Sequence, residues 1–159
     1  MRNRTMSRRT MLEAGACALA AAAGLPQMAR ASAETGLRSK NQETVRKYYA
    51  AWETKDWHPV DILLTDDFTF SSPLDDHISK SAFKAGCWDT QIAYINRFDL
   101  KQVIGTGNEL FVLYVCHTTN GKTFRNVEYF QLREDKVKSV ECYFGGKSSF
   151  PSAVSTGKG

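Results

Sequence analysis

Proton chemistry in this chain would run through Glu128 and His117, with Asn126 beside them. Glu128, Asn126 and His117 sit inside the run Glu109 to Gly145, reading ELFVLYVCHTT-NG-KTFRNVEYFQL-RED-KVKSVECYFG, where apolar residues are interspersed with polar ones. A carboxyl enclosed by apolar groups loses hydration of its charged form, so its pKa rises and it becomes able to trade protons near neutrality. An imidazole titrates at about 6.5 and suits the same work. Glu128 and His117 would then exchange protons with an apolar substrate bearing a carbonyl or hydroxyl, while Asn126 donates a hydrogen bond to developing negative charge. Such chemistry is of isomerase, lyase or cyclase type and calls for no cofactor. The alternative is a non-catalytic ligand-binding or dimerisation module.

Three strands joined by two turns must position these groups. Asn120-Gly121 is the pair that favours a two-residue type I′ hairpin, whose central residues both need positive φ. That turn sets His117 opposite Phe124, Val115 opposite Asn126 and Leu113 opposite Glu128. Side chains alternate along a strand, so Phe111, Leu113, Val115 and His117 are expected to share a face with Phe124, Asn126, Glu128 and Phe130. Val140, Cys142 and Phe144 join that face if Arg133-Glu134-Asp135 forms a three-residue turn. Arg125, Tyr129, Gln131 and Arg133 take the other side, toward solvent or a second subunit. In this register Glu128 lies about 13 Å along the strands from His117, too far for a direct hydrogen-bonded pair. A slip of one residue would turn a whole strand over.

The chain opens with an address. Ser7-Arg8-Arg9-Thr10-Met11-Leu12 resembles the twin-arginine export motif, and the Ala/Gly run to Gly24 is a short apolar region broken at Pro26. Ala29-Arg30-Ala31 or Ala31-Ser32-Ala33 offers a small-residue cleavage site. Residues 1–33 are thus expected to be a signal peptide and the mature protein periplasmic or secreted, with no stable membrane insertion. The leader holds five of the 21 basic residues and one of the 17 acidic ones, which leaves the mature chain formally neutral. The pI of 8.9 therefore belongs to the leader, and a nucleic-acid partner is not expected. Cys87, Cys116 and Cys142 remain, an odd number without metal-ligand spacing, and Cys116 and Cys142 fall on opposite faces in this register. They read as buried small hydrophobes.

Residues 34–146 make one domain, with a disordered tail at 147–159. Ser39 with Gln42 suggests a capping box, after which Val45, Tyr48, Tyr49 and Trp52 recur at helical spacing. A buried tyrosine needs a partner, so Tyr48 or Tyr49 is expected to point its hydroxyl into the cavity. A second helix is expected near Pro59, then a brief strand at Phe68–Ser72, and a third helix capped by Ser79 or Ser81 that carries Phe83, Cys87 and Trp88. Asp75-Asp76-His77 gathers acids and an imidazole, but consecutive residues cannot all face one ion, so no metal site is expected. A long strand from about Ile92 to Val103 leads into Gly105-Thr106-Gly107-Asn108, a turn rather than a phosphate cradle. Helices followed by mainly antiparallel strands give an α+β fold.

At this point VRKYYAAWETKD in the first helix, DDFTFSSP after the second, and the closing pair VEYFQL and KVKSVECYFGG carry a resemblance. Residues 41–146 resemble the SnoaL-like branch of the nuclear transport factor 2-like superfamily, which includes ketosteroid isomerase. The resemblance implies a strongly curved sheet forming a cone, three helices closing its mouth over a cavity for a small molecule, and a homodimer through the outer sheet face. It places the isomerase's oxyanion-holding tyrosine on Tyr48 and the partner acid on Glu128. The proton-abstracting aspartate falls on Ser72, whose hydroxyl cannot do that work. Trp52, Ser72, Trp88, Val115, Asn126, Phe130, Cys142 and Phe144 are expected to line the cavity.

Overall fold

The computed structural model describes residues 25–144 and 150–151. The twin-arginine motif and apolar run of the leader lie outside them, as does the tail apart from Phe150–Pro151. The described residues fall into two units, one ending at Thr35 and the other beginning at Gly36; the fold below is that of the second. Among the described residues, no helix is long and apolar enough to cross a membrane.

Helix α1 runs Leu25–Thr54, so Ser39 lies inside a helix rather than at its cap. Val45, Tyr48, Tyr49 and Trp52 fall on one face and are buried, each worth about 1.5–3 kcal/mol of apolar burial. Lys55 adopts a left-handed φ of 63° and ends the helix. Asp56 then caps α2 (Trp57–Leu63), its carboxylate accepting from the His58 N–H at 3.0 Å. Strand β1 (Leu64–Ser71) and the short β2 (Ile78–Ser79) follow. The third helix, α3, starts at Lys80–Phe83 with Ser79 as its cap, passes through a π-helical turn at Lys84–Trp88 and ends at Asp89–Gln91.

Four long strands complete the fold: β3 (Ile95–Thr106), β4 (Glu109–Thr118), β5 (Thr123–Arg133) and β6 (Lys136–Tyr143). The open sheet has the order β2-β1-β6-β5-β4-β3, and all neighbours are antiparallel except β1 and β6. Its register breaks twice between β3 and β4 and once between β5 and β6, and such bulges bend and twist a sheet. Gly105 suits its place because an added Cβ would come 1.9 Å from the Glu109 carbonyl oxygen. Phe150–Pro151, expected in a disordered tail, form β7 and pair with Phe124 and Arg125. The architecture is α+β, as the sequence implies.

Both turns of the expected site strands are of the other kind. Between β4 and β5, Thr118 N donates to Lys122 O and Gly121 N to Thr118 O, so the loop is Thr119-Asn120-Gly121. Gly121 carries the positive φ, 80°, and Asn120 does not; this is a three-residue loop with glycine at the left-handed position. Asn120 Oδ1 secures it, accepting from Thr118 Oγ1 at 2.6 Å and Lys122 N at 3.2 Å. Between β5 and β6 the turn is the two-residue Glu134-Asp135, both at positive φ, with a register shift after Gln131.

The first change moves β4 by one residue against β5. Glu128 pairs with Val112 and Asn126 with Tyr114. Leu110, Val112, Tyr114 and Cys116 face the core, and Phe111, Leu113, Val115 and His117 face outward. The second change leaves Val140 and Cys142 inward, opposite Phe130 and Glu128. Cys116 and Cys142 therefore share the inner face, contrary to expectation, and both are free and buried.

Candidate functional site

The inner face of the sheet and α1 enclose a cavity of about 90 Å³. Its wall draws Tyr48, Tyr49 and Trp52 from α1, Phe83, Cys87 and Gln91 from α3, Tyr114 from β4, Asn126 and Glu128 from β5, and Cys142 from β6, with Phe70, Ile95, Phe98, Phe124 and Phe144 filling the remainder. No Lys, Arg or His belongs to this lining among the described residues. The volume is below the roughly 150 Å³ of a void that admits benzene.

Among the described residues, Glu128 is the only carboxyl in the wall, and it is 8 % exposed. Tyr49 donates its hydroxyl to Oε2 at 2.6 Å and Tyr114 donates to Oε1 at 3.1 Å. Asn126 Nδ2 donates in turn to the Tyr114 oxygen at 3.2 Å and lies 3.7 Å from Cys142 Sγ. Burial raises Glu128 above the ordinary carboxylate range, and the two phenol hydroxyls offset part of that rise. Burial, reinforced by the charge of Glu128, holds Tyr48, Tyr49 and Tyr114 well above their usual range. These tyrosines therefore stay protonated and act as donors. Tyr48 lines the same hollow beside Trp52, their ring centroids 6.3 Å apart.

The aromatic frame fixes these hydroxyls. Phe130 is fully buried behind Tyr48 and Tyr49, with ring centroids 5.5 and 5.9 Å away. Trp52 packs on Trp88 at 4.3 Å, and Trp88 on Trp57 at 5.3 Å. Phe130 and Trp88 thus support the wall without belonging to it. Burial also raises the Cys87 thiol to about 11, so it remains a thiol at neutral pH.

Of the residues expected at the site, Tyr48, Trp52, Asn126, Glu128, Cys142 and Phe144 meet at the cavity. His117 and Val115 do not, because the three-residue loop turns them outward. His117 Nε2 lies 2.9 Å from Asp99 Oδ2, and Arg97 pairs with the same carboxylate. Ser72 is also absent from the wall. Its Oγ accepts from Leu74 N and Asp75 N and donates to Asp75 Oδ2 at 3.1 Å, closing the turn after β1. Asp75, Asp76 and His77 form no metal-binding group, and none occurs among the described residues. Sequence reasoning placed Tyr48 against Glu128, whereas Tyr49 is the nearer donor, and it missed Tyr114. The signal for Tyr114 was the glycine of Thr119-Asn120-Gly121 read as the third residue of a loop.

Comparison with known proteins agrees with this geometry. An epoxide hydrolase of LEH-like type from Mycobacterium tuberculosis superposes with a TM-score of 0.59 at 14 % identity, over 70 % of this chain and 86 % of that one. An NTF2-like protein from Anabaena variabilis gives 0.59 at 18 %, over 72 % and 92 %. A de novo designed protein with a curved β-sheet gives 0.58 at 19 %, over 69 % and 88 %. Identities this low establish the fold alone, and a design among the neighbours shows why fold does not name an activity. No curated protein matches the sequence. Residues 45–140, more than half of the 159, match the SnoaL-like domain, and the chain belongs to that family.

Proposed function

We propose that this chain is an exported SnoaL-like protein that holds a small, largely apolar molecule against Glu128, which exchanges a proton with it. The molecule bears a carbonyl or hydroxyl, and the reaction is of isomerase or lyase type. One observation carries the reading: a carboxyl raised by burial, held between two tyrosine hydroxyls, in an aromatic hollow without a cation. Raised carboxylates of this kind gather at sites of proton transfer. Ionised Glu128 would take a proton from the carbon beside a carbonyl while the Tyr48 hydroxyl donates to the oxygen that gains charge. The reaction class follows only loosely from the fold; the epoxide hydrolase among the neighbours shows that other chemistry occurs on it.

Incubation with acetone or cyclopentanone in D₂O tests the reading. Deuterium entering beside the carbonyl, and lost in Glu128→Gln, is the expected result. Exchange that persists in Glu128→Gln would sink it. A second reading, binding without turnover, draws on Ser72, which stands where the related isomerase has its base and is tied into a turn. Saturable binding of either ketone in the hollow, with no deuterium uptake, favours that reading.

The outer sheet face supports a homodimer. Phe111 is 47 % exposed, and Ile104, Leu113 and Tyr143 are exposed beside it. Sedimentation of the wild type as a dimer, and of Phe111→Asp as a monomer, is the expected outcome. For export, the twin-arginine pair is tested by Arg8→Lys with Arg9→Lys, which should leave the chain unprocessed in the cytoplasm.

A further inference from the structure

We infer that Asn126 is a positioning residue: by donating to the Tyr114 oxygen it commits the Tyr114 proton to Glu128, and so holds the acid in its working state. The inference rests on the proposed role of Glu128 and adds to it the element that controls that role. Tyr114 has one proton, and at 3.1 Å from Oε1 that proton belongs to Glu128 when the carboxyl is ionised. Its oxygen can then only accept, so the amide nitrogen of Asn126, and not its oxygen, must face it at 3.2 Å. The Asn126 side chain is 8 % exposed, and this orientation leaves its Oδ1 buried without a donor. An unpaired buried acceptor destabilises the fold, so the orientation is held against a penalty. Hydrogen bonds in series polarise one another, and the amide makes the Tyr114 hydroxyl a stronger donor to the acid.

The titratable groups that face Glu128 are few. Tyr48 and Tyr49 come from α1, Tyr114 and Cys116 from β4, and Cys142 from β6; Cys87 of α3 lies across the hollow. All have pKa values raised by burial, so they remain protonated while Glu128 titrates. Within this set, Tyr114 is the hydroxyl that bonds both Asn126 and Glu128; Cys142, 3.7 Å from Asn126 Nδ2, faces the acid across the strands and forms a second, weaker link.

The test is a mutant cycle read by the ¹³C NMR titration of the Glu128 carboxyl, with Glu128→Gln identifying the signal. Asn126→Leu should move the midpoint upward by about 0.5 pH or more, because the ionised form loses support. In a Tyr114→Phe background the same substitution should move it by less than half as much, the remainder passing through Cys142. An equal upward move in both backgrounds would mean that Asn126 acts by local polarity alone, and the inference fails. No move in either background overturns it as well. Asn126→Ser runs the same cycle should the leucine variant not fold. A wild-type midpoint at the ordinary glutamate value is a different failure, since it removes the proposed role of Glu128 itself.

Discussion

Two carboxylates of one sheet, Glu128 on β5 and Asp99 on β3 with β4 between them, have opposite fates. Glu128 faces inward, accepts from the Tyr49 and Tyr114 hydroxyls, and is raised by burial. Asp99 faces outward, meets His117, Arg97 and Lys101, and is lowered, chiefly through its hydrogen bond with His117. Water and cations make the outer acid a stable ion; their absence makes the inner acid a reluctant one. The lesson is that the type of residue does not mark the site. An acid that folding leaves less stable when charged has to be held there by something else, and a ligand or a reaction is a sound candidate.

The contrast breaks most visibly in chemistry. Glu128→Gln should lower deuterium exchange by about 10²-fold or more, the usual scale for removing a general base, and Asp99→Asn should leave it unchanged. Equal losses in the two variants would show that the reaction does not distinguish the two faces.

Next in size are the donors. Tyr49→Phe removes the 2.6 Å bond to Glu128 and Tyr114→Phe the 3.1 Å bond. Hydrogen bonds to a charged acceptor are worth about 1.5–3 kcal/mol, so each variant should lose stability on that scale where Glu128 is ionised. The shorter bond predicts the larger loss for Tyr49→Phe. Urea unfolding at a pH above the Glu128 midpoint measures both.

The two acids also act in separate pH windows. Glu128 is raised above its ordinary 4.5, so its contribution is complete below that value and is lost as pH rises through the folded midpoint. Asp99 is lowered below 3.8, so its contribution is present above that value and is lost as pH falls through the folded midpoint. Glu128→Gln should flatten the decline of stability on the alkaline side of 4.5. Asp99→Asn should soften the decline on the acid side of 3.8, where Asp67 and Glu43, both lowered by basic partners, contribute as well. Urea midpoints across the pH range separate these slopes.

How legible each face was in the sequence follows from its pattern. On β5, Phe124, Asn126, Glu128 and Phe130 alternate with Arg125 and Gln131, so the inner face could be read, and Glu128 with it. On β4 the alternate sets Leu110-Val112-Tyr114-Cys116 and Phe111-Leu113-Val115-His117 are both apolar, so periodicity cannot choose between them. Turn chemistry had to decide, and Asn-Gly serves a two-residue or a three-residue loop. Helix α1 was legible through Tyr48, Tyr49 and Trp52, though which tyrosine reaches Glu128 depends on helix rotation, a tertiary property. Ser72 and Trp88 were assigned by resemblance, which preserves the order of elements but not the direction of each side chain.

The smallest effect separates a residue's chemistry from its address. His117 has the side chain best suited to proton transfer near neutrality, and it was expected in the cavity. It sits instead on the far face of β4, opposite Thr123 and Arg97, with its ring against Asp99. His117→Ala should therefore leave deuterium exchange and the Glu128 titration where they are, since no hydrogen bond or cavity wall joins the two residues. It should move Asp99 upward toward 3.8, because the imidazole is the first cause of its lowering. The ¹³C titrations of the two carboxyls, taken in one sample, read both results. A shift of Glu128 in His117→Ala without one of Asp99 would require β4 to be turned over, restoring the two-residue hairpin and dissolving the distinction between the faces.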